Sequence, residues 1–308
     1  MLSLRNTIAY TNGPSSEKCE SLEKSPPTQQ PEQPPDWLHE NFEPIETARI
    51  IYPLSSQADE LVIKTFPVSR DFTGYHNLQY LAENVPDLPV PKPYGLIVLG
   101  SVGVMFMSYV PGTALNQVWS LLSHEGKLSI QKQLDNIFSR LRSLRKDDGI
   151  ELGGSRGEGV RDYRIMETLA YKGITTARGF DELQFSAKHR ASLCYVKLLR
   201  SFLDEENRSL QGSVFTHGAL KKCNIMVEED PEKADFYVVS GVIDWEDSGF
   251  YPEYYESTTL SNGQSIMSDE DWYLYTPHCI SPLRFPVRWL VGRLWGNLLW
   301  NWRTDIVR

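Results

Sequence analysis

A set of polar residues in and after one loop restricts the folds that this chain can adopt. His217-Gly218-Ala219-Leu220 follows a strand-forming run, and Asn224 comes after three further residues. Three short β-rich runs then lead to Asp244. Taken singly, His217 fits a hydrogen-bonded core histidine, and Asp244 fits a turn residue. The spacing of the whole set is far more specific than any one member, and it indicates a functional loop.

The first part of the chain alternates short strand signals with one helical pattern. The β-rich runs 48–52 and 61–66 are separated by turn-forming residues and predict a hairpin. Apolar residues at helical spacing over 74–84 predict a helix that a proline ends. Two more strands are expected at 96–98 and 104–107. A strand pair, a helix and a second strand pair form a small α+β lobe.

After Pro111-Gly112 the pattern becomes mainly helical. One apolar face extends over 130–144, and 193–203 repeats it. A third helical stretch, rich in tryptophan, covers 286–302. Short strands are expected between the second and third of these helices, at 225–227, 236–239 and 242–243. The predicted fold class is therefore α+β.

The chain is expected to have three parts. Residues 1–38 include a run of prolines, glutamines and serines that cannot bury apolar surface, which predicts a disordered tail. The small β-rich lobe is assigned to 39–110. The mainly helical lobe, which carries the polar loop, is assigned to 111–308.

Composition and charge argue against several classes of protein. A formal net charge of −9 disfavours a nucleic-acid partner. The four cysteines are scattered and lack the paired spacing of zinc ligands. We find no uncharged apolar stretch of about eighteen residues, so no transmembrane segment is expected. The N-terminal residues lack the apolar core of a secretory signal, and a cytoplasmic protein with free thiols is the default expectation.

The loop resembles the catalytic loop of protein kinases, in which His-Arg-Asp-Leu precedes three residues and an asparagine. With Ile243-Asp244-Trp245-Glu246 after the hairpin, it is similar to the signature of the aminoglycoside phosphotransferase and choline kinase-like family, above all its fungal branch. Pro89-Val90-Pro91, Pro111-Gly112 and 247–256 resemble other segments of that family, in the same order. The resemblance covers roughly residues 45–260 and implies a two-lobed, protein-kinase-like fold.

The resemblance also implies roles for individual residues. Lys64 would pair with the α- and β-phosphates of ATP, although a strand lysine taken alone is more often exposed. Asn224 and Asp244 would hold Mg²⁺ through hard oxygen ligands. His217 would be a scaffold residue of the loop. The adenine edge would bind to backbone groups at the hinge between the lobes, around Met107, Tyr109 and Val110.

Position 219 departs from the family, because alanine stands where the catalytic aspartate belongs. That carboxylate would orient the acceptor hydroxyl and take its proton, and its loss typically slows a reaction by about 10²- to 10⁴-fold. A helix glutamate is also missing near His76 and Asn77, and Glu83 lies close to the helix end. Two functions stay open: an ATP-dependent phosphotransferase whose catalysis is impaired or lost, and a pseudokinase that binds nucleotide or acts as a scaffold.

The acceptor and the last helix leave further alternatives. The family implies a small-molecule hydroxyl acceptor, and an acidic chain suits a cationic one. Asp247, Glu253 and Glu256 could line its site, although a solvated acidic face explains the same residues. Apolar residues beside arginines over 284–302 also fit a peripheral membrane helix. Packing of this helix against the large lobe is favoured over membrane contact.

Overall fold

A computed structural model describes residues 49–53, 60–67, 72–162, 164–165, 170–260 and 270–299. The predicted tail, 1–38, lies outside these ranges. The chain divides into two compact units, Met1–Asp71 with Pro91–Tyr109 and Phe72–Val90 with Val110–Arg308. The residues of the predicted helix therefore group with the larger unit, and the lobe boundaries 39–110 and 111–308 stay a prediction.

The smaller unit contains an antiparallel sheet. Its strands are β1 (Arg49–Pro53), β2 (Glu60–Pro67), β3 (Pro93–Leu99) and β4 (Val102–Ser108). They are arranged in the order β1-β2-β4-β3. The predicted hairpin is confirmed by the antiparallel pairing of β1 with β2. The two later strand predictions are also confirmed, each within a longer observed strand.

One face of β2 is buried and includes a lysine. Val62, Lys64 and Phe66 alternate along the strand, and all three are buried. The residues paired with them on β4 are Met107, Met105 and Gly103. Gly103 leaves room for the Phe66 ring, since a Cβ there would lie 2.6 Å from it. With an exposure of 2%, Lys64 is not the exposed strand lysine that its residue type alone suggests.

The larger unit combines helices with two small antiparallel sheets. The helices are α1 (Thr73–Asn84), α2 (Leu115–Val118), α3 (His124–Leu141), α4 (Ala177–Phe185), α5 (Leu193–Ser209), α6 (Tyr255–Thr259) and α7 (Pro286–Gly296). The strands are β5 (Thr113–Ala114), β6 (Arg145–Lys146), β7 (Ser213–Thr216), β8 (Ile225–Glu229), β9 (Tyr237–Val242) and β10 (Gly249–Tyr251). The sheets have the orders β10-β7-β6 and β5-β8-β9. The predicted α+β class is confirmed.

The long helix α3 forms where its apolar spacing predicts. Ser123 caps its N-terminus by accepting a hydrogen bond from the Gly126 N–H. Ile130, Leu134 and Phe138 form a fully buried face, as expected. The helix ends before the predicted last position, Leu144, whose carbonyl instead accepts a hydrogen bond from Phe215 in β7.

The prediction of separate strands at 236–239 and 242–243 is wrong, because β9 continues through the glycine between them. Its pairing with β8 has a register irregularity between Met226 and Val227, which accommodates one extra residue, Ser240, in β9. Gly241 is required by close packing, since a Cβ there would lie 2.6 Å from a Val110 methyl carbon. The Ser-Gly pair therefore marks a close approach of backbone rather than a turn.

The C-terminal helix α7 packs against other helices of the larger unit. This is the alternative favoured above over contact with a membrane. Val291 and Trp295 are buried in a cluster with Phe185 of α4 and Leu199 of α5. The remainder of the predicted helix, from 300 onward, lies outside the described residues. Across the described part of the chain, every helix is too short or too polar to cross a membrane.

A buried ion pair fixes the start of α7. Arg288 donates from Nη1 to Asp181 Oδ1 at 2.7 Å and from Nε to Glu206 Oε2 at 3.0 Å. Asp181 also accepts hydrogen bonds from the Tyr254 hydroxyl at 2.7 Å and the Asn207 amide at 2.9 Å. Both charged side chains of the Arg288–Asp181 pair are almost fully buried, so removing one leaves the other charge in a poorly solvated place.

We expect Asp181→Ala to lower the free energy of unfolding by about 3 to 5 kcal/mol, because Arg288 would lose its main counter-charge. Asp204→Ala is the matched control, since Asp204 pairs with Arg178 at 3.0 Å on the exposed surface and should change stability by less than about 1 kcal/mol. Urea unfolding of both variants measures the difference. Equal losses of stability in the two variants would contradict this account of the buried pair.

Candidate functional site

The loop 217–224 begins with a histidine held in one tautomer. His217 is fully buried after β7. Its Nε2 lies 3.0 Å from the Ile243 carbonyl oxygen, and its Nδ1 lies 3.2 Å from the Ala219 nitrogen. A carbonyl can only accept and a backbone N–H can only donate, so Nε2 carries the proton. The ring therefore connects this loop to the chain just before Asp244.

Burial keeps the His217 imidazole neutral. Desolvation lowers the pKa of His217 to about 4, against the opposing effects of the Ile243 carbonyl and the Asp244 charge. Because this pKa lies below the unfolded value near 6.5, unfolding binds a proton between about pH 4 and 6.5. His217 therefore contributes stability that is complete above that window and is lost as the pH falls through it. A neutral, buried ring suits a scaffold role rather than proton transfer.

The remainder of the loop is closed by Asn224. Its side-chain Nδ2 donates to the Ala219 carbonyl oxygen at 2.9 Å, and its backbone carbonyl oxygen accepts from the Ile243 N–H at 2.9 Å. The Ala219 backbone is thus held from both sides, by His217 and by Asn224. These hydrogen bonds close the loop around position 219, which offers only a methyl group.

Gly218 is required by the close approach of another segment. Its φ of +81° lies in the left-handed region that side chains rarely adopt. A Cβ at Gly218 would also lie 2.3 Å from the Asp247 carbonyl oxygen. The segment that follows Asp244 therefore packs directly on the loop, one residue before Ala219.

A buried carboxylate on α6 binds the backbone at the start of the loop. Glu256 is fully buried and accepts hydrogen bonds from the His217 N–H at 2.6 Å and the Gly218 N–H at 3.2 Å. Desolvation raises the pKa of Glu256 to about 7, although both N–H groups and the nearby Arg142 oppose the shift. Sequence reasoning missed this role, because the residue type alone does not distinguish a buried acid from an exposed one.

The suggested acidic wall does not form from the three acids proposed. Glu256 is fully buried under the loop, so it belongs neither to a substrate wall nor to a solvated face. Glu253 is half-buried and contacts the guanidinium groups of Arg142, Arg145 and Arg284. Asp247 is the one of the three that is exposed.

Asp247 is an accessible carboxylate with a perturbed affinity for protons. The residue is exposed, and the protein packed around it shifts the pKa of Asp247 upward, above all by desolvation. Asp244 and Glu246 raise this pKa further, while Arg161 and Lys221 lower it.

The two predicted metal ligands lie on adjacent, hydrogen-bonded segments. Asp244 follows directly on Ile243, whose N–H binds the Asn224 carbonyl. Asp244 has a φ of +73°, an unusual conformation for a residue other than glycine and one often found at functional sites. No group of three or more His, Cys, Asp or Glu side chains forms a metal cluster within the described ranges. One carboxylate and one amide oxygen do fit Mg²⁺, which takes few protein ligands and completes its shell with phosphates and water.

In helix α1, the residues near the expected position of the glutamate make other contacts. Asn77 is fully buried; its Nδ2 donates to the carbonyl and hydroxyl oxygens of Ser248, and its Oδ1 accepts from the Ser155 N–H. His76 Nδ1 lies 2.6 Å from Glu158 Oε1. The helix is thereby fastened to the segment that follows Asp244. Glu83, the acid close to the helix end, is exposed.

The residues predicted to bind nucleotide fall in both units. Lys64, Met107 and Tyr109 belong to the smaller unit, and Val110 belongs to the larger one with the loop 217–224. Lys64, Met107 and Val110 are buried. Their roles toward a nucleotide stay predictions.

Comparisons with known proteins agree with the resemblance. A model of the phosphotransferase enzyme family matches residues 74–273. Two similar solved structures are thermostable variants of the aminoglycoside phosphotransferase APH(4)-Ia. One is a ternary complex with AMP-PNP and hygromycin B, 13% identical, covering 83% of this chain and 82% of that chain, with a TM-score of 0.52. The other, with ADP and hygromycin B, has the same identity and coverage and a TM-score of 0.51. At this identity the likeness is one of fold. No curated protein matches the sequence.

We expect Glu256→Gln to change how stability depends on pH. Because the folded pKa of about 7 lies above the ordinary glutamate value of 4.5, the folded state holds an extra proton between these two pH values, and stability falls as the pH rises through that window. Glutamine removes this effect. The wild type should therefore lose on the order of 2 kcal/mol more of its unfolding free energy between pH 5 and pH 8 than the variant does.

Urea unfolding at the two pH values measures this difference. Glu228→Gln is the control, because it removes the same charge from an exposed position at the end of β8. Unchanged pH dependence in the Glu256 variant would show that the carboxylate is not the buried, proton-binding group described above.

Proposed function

The chain belongs to the phosphotransferase enzyme family, and from that premise we propose that it binds MgATP but transfers phosphate to a small-molecule hydroxyl slowly or not at all. The observation that carries the proposal is the alanine at position 219, within a loop that is otherwise held as a functional loop would be. The second candidate function is that of a pseudokinase, which binds nucleotide or acts as a scaffold without catalysis.

The loop geometry supports retained architecture with a lost base. Phosphoryl transfer depends mostly on positioning and electrostatic stabilisation, and a loop aspartate orients the acceptor hydroxyl and accepts its proton. His217, Asn224 and Glu256 hold the backbone of the loop by hydrogen bonds. The Ala219 methyl can neither accept a proton nor orient a hydroxyl. A loss of about 10²- to 10⁴-fold in rate follows from such a deletion.

Nucleotide and metal binding rest on residues that the chain retains. Asn224 and Asp244 offer oxygen ligands on adjacent segments, and Mg²⁺ bound there would neutralise charge on the phosphates. Lys64 would pair with the α- and β-phosphates, as a buried lysine on a strand does in kinases. Backbone groups of Met107, Tyr109 and Val110 would bind the adenine edge. The similar solved structures hold AMP-PNP or ADP, which supports ATP as the nucleotide.

The acceptor is proposed to be a small molecule with a hydroxyl group and positive charge. The solved structures of similar fold hold hygromycin B, and a net charge of −9 favours a cationic ligand for this chain. Asp247 supports residual transfer, since it is an exposed carboxylate whose backbone packs against Gly218. A cytoplasmic location is also proposed, because the proposed reaction uses ATP.

The nucleotide proposal predicts a magnesium-dependent rise in thermal stability. A ligand at about 100 times its Kd stabilises the folded state by about 2.7 kcal/mol, which for a chain of this size is roughly 5 to 10 °C in Tm. Thermal unfolding with and without ATP, each with and without Mg²⁺, measures the shift. Asp244→Ala should abolish the magnesium-dependent part. No shift at saturating ATP would refute nucleotide binding.

Ala219→Asp is expected to raise transfer to an amino-alcohol or aminoglycoside panel by about 10²- to 10⁴-fold over the wild type. The reason is that the backbone at position 219 is already held by His217 and Asn224, so a carboxylate would start from a preformed position. Radiolabelled phosphate transfer from ATP measures the gain.

The double variant Ala219→Asp, Asp244→Ala is the control and should lose that gain. If Ala219→Asp binds MgATP as well as the wild type does but transfers to none of the acceptors, the pseudokinase function is favoured instead. Testing Asp247→Asn beside the wild type shows whether residual transfer depends on Asp247.

A further inference from the structure

Helices α5 and α7 form an antiparallel pair at the surface of the larger unit. The start of α7 lies beside the end of α5, where Arg288 contacts Glu206 and Asn207. The residues just after α7 lie beside those just before α5, where the Arg190 N–H donates to the Leu298 carbonyl oxygen at 2.9 Å. The two helices therefore run in opposite directions along their whole contact.

Each helix of the pair has a second, exposed apolar stripe. The buried contact uses Val196, Leu199 and Leu203 of α5 with Val291 and Trp295 of α7. On both helices, exposed apolar side chains precede these positions by one residue. They are Tyr195, Leu198 and Phe202 of α5 and Leu290 and Leu294 of α7. Val287 of α7 extends the stripe, and the exposures of the six side chains range from 37% to 53%.

The two stripes point to the same side of the pair. One residue corresponds to a rotation of about 100° around a helix axis. In two antiparallel helices that face each other, the same backward rotation moves both stripes toward the same side. The six side chains therefore form one continuous surface, which we call the α5/α7 apolar face.

The area of the α5/α7 apolar face fits one half of a dimer interface. If a fully exposed side chain of this size offers on the order of 200 Å², the six side chains together expose roughly 500 Å². A standard interface buries about 800 Å² on each partner, of which about 65% is apolar in homodimers. The apolar core of such an interface is therefore about 500 Å², which is the area that this face presents.

Charge argues against a lipid surface as the occupant. Membrane-surface helices attract anionic lipid through free basic residues beside the apolar stripe. Arg288 of α7 is instead buried between Asp181 and Glu206, and Arg200 of α5 pairs with Glu182, while Lys197 of α5 is exposed. The chain as a whole has a net charge of −9. Both observations disfavour an anionic bilayer and favour a protein surface.

We propose that a second copy of this chain covers the α5/α7 apolar face. The same face on each copy packs against the other around a two-fold axis, so that α5 and α7 of both copies form a four-helix contact. This inference is independent of nucleotide binding and of catalysis, because it rests on side chains of α5 and α7 alone.

Sedimentation velocity of the full chain from about 1 to 100 μM tests the proposal, a range that spans common homodimer affinities. The expected result is a species of twice the 35.2 kDa chain mass that becomes dominant as concentration rises. Leu198→Lys and Leu290→Lys, one on each helix, should each weaken the dimer at least tenfold, because each places a charge in an apolar contact. Leu121→Lys is the matched control, since Leu121 is 79% exposed and lies outside the face.

Hydrogen exchange at the two ends of the concentration range locates the contact. Slower exchange of 193–209 and 286–296 at high concentration is expected, and thermal unfolding confirms that each lysine variant remains folded. A monomer at every concentration overturns the proposal. So does a dimer that both lysine variants leave unchanged, or binding of the monomer through this face to vesicles of anionic phospholipid.

Discussion

Two backbone N–H groups at the start of the loop 217–224 point into the protein, and the Glu256 carboxylate accepts hydrogen bonds from both. Without water at that depth, an unpaired N–H would cost about 1 to 3 kcal/mol. The acid is costly to bury as well, which is why the pKa of Glu256 rises to about 7. The contact holds the loop against α6, and the bonds from His217 and Asn224 then determine where position 219 lies.

The larger unit contains other contacts of this kind, in which a buried polar group on one element binds a polar group that is distant in sequence. Asn77 of α1 binds Ser248 and Ser155, and Arg288 of α7 binds Asp181 and Glu206. These contacts fasten helices to the segments around the candidate site. At position 219 the chain offers only a methyl group, and the proposal of nucleotide binding without efficient transfer is based on that position.

Much of the fold and part of the site could be predicted from local sequence. The β1–β2 hairpin, α3 and α7 follow from spacing alone, and the family follows from the pattern around His217, Asn224 and Asp244. The glycine within β9 was misread as a break, because its reason is the nearby Val110 side chain. The role of Glu256 was missed because burial of an acid depends on what α6 packs against. Neither fact is contained in a local window of residues.

The order of residues specifies the chemical group at each position: an alanine at 219, an amide at 224 and a carboxylate at 244, in a spacing that few folds require. The environment of each group depends on tertiary packing. That packing buried Glu256 beneath the loop, left Asp247 exposed beside it, and turned the apolar stripes of α5 and α7 to one common side. The physical reason is that solvation, charge pairing and exposure depend on contacts between residues far apart in the chain, and these exist only once the chain has folded.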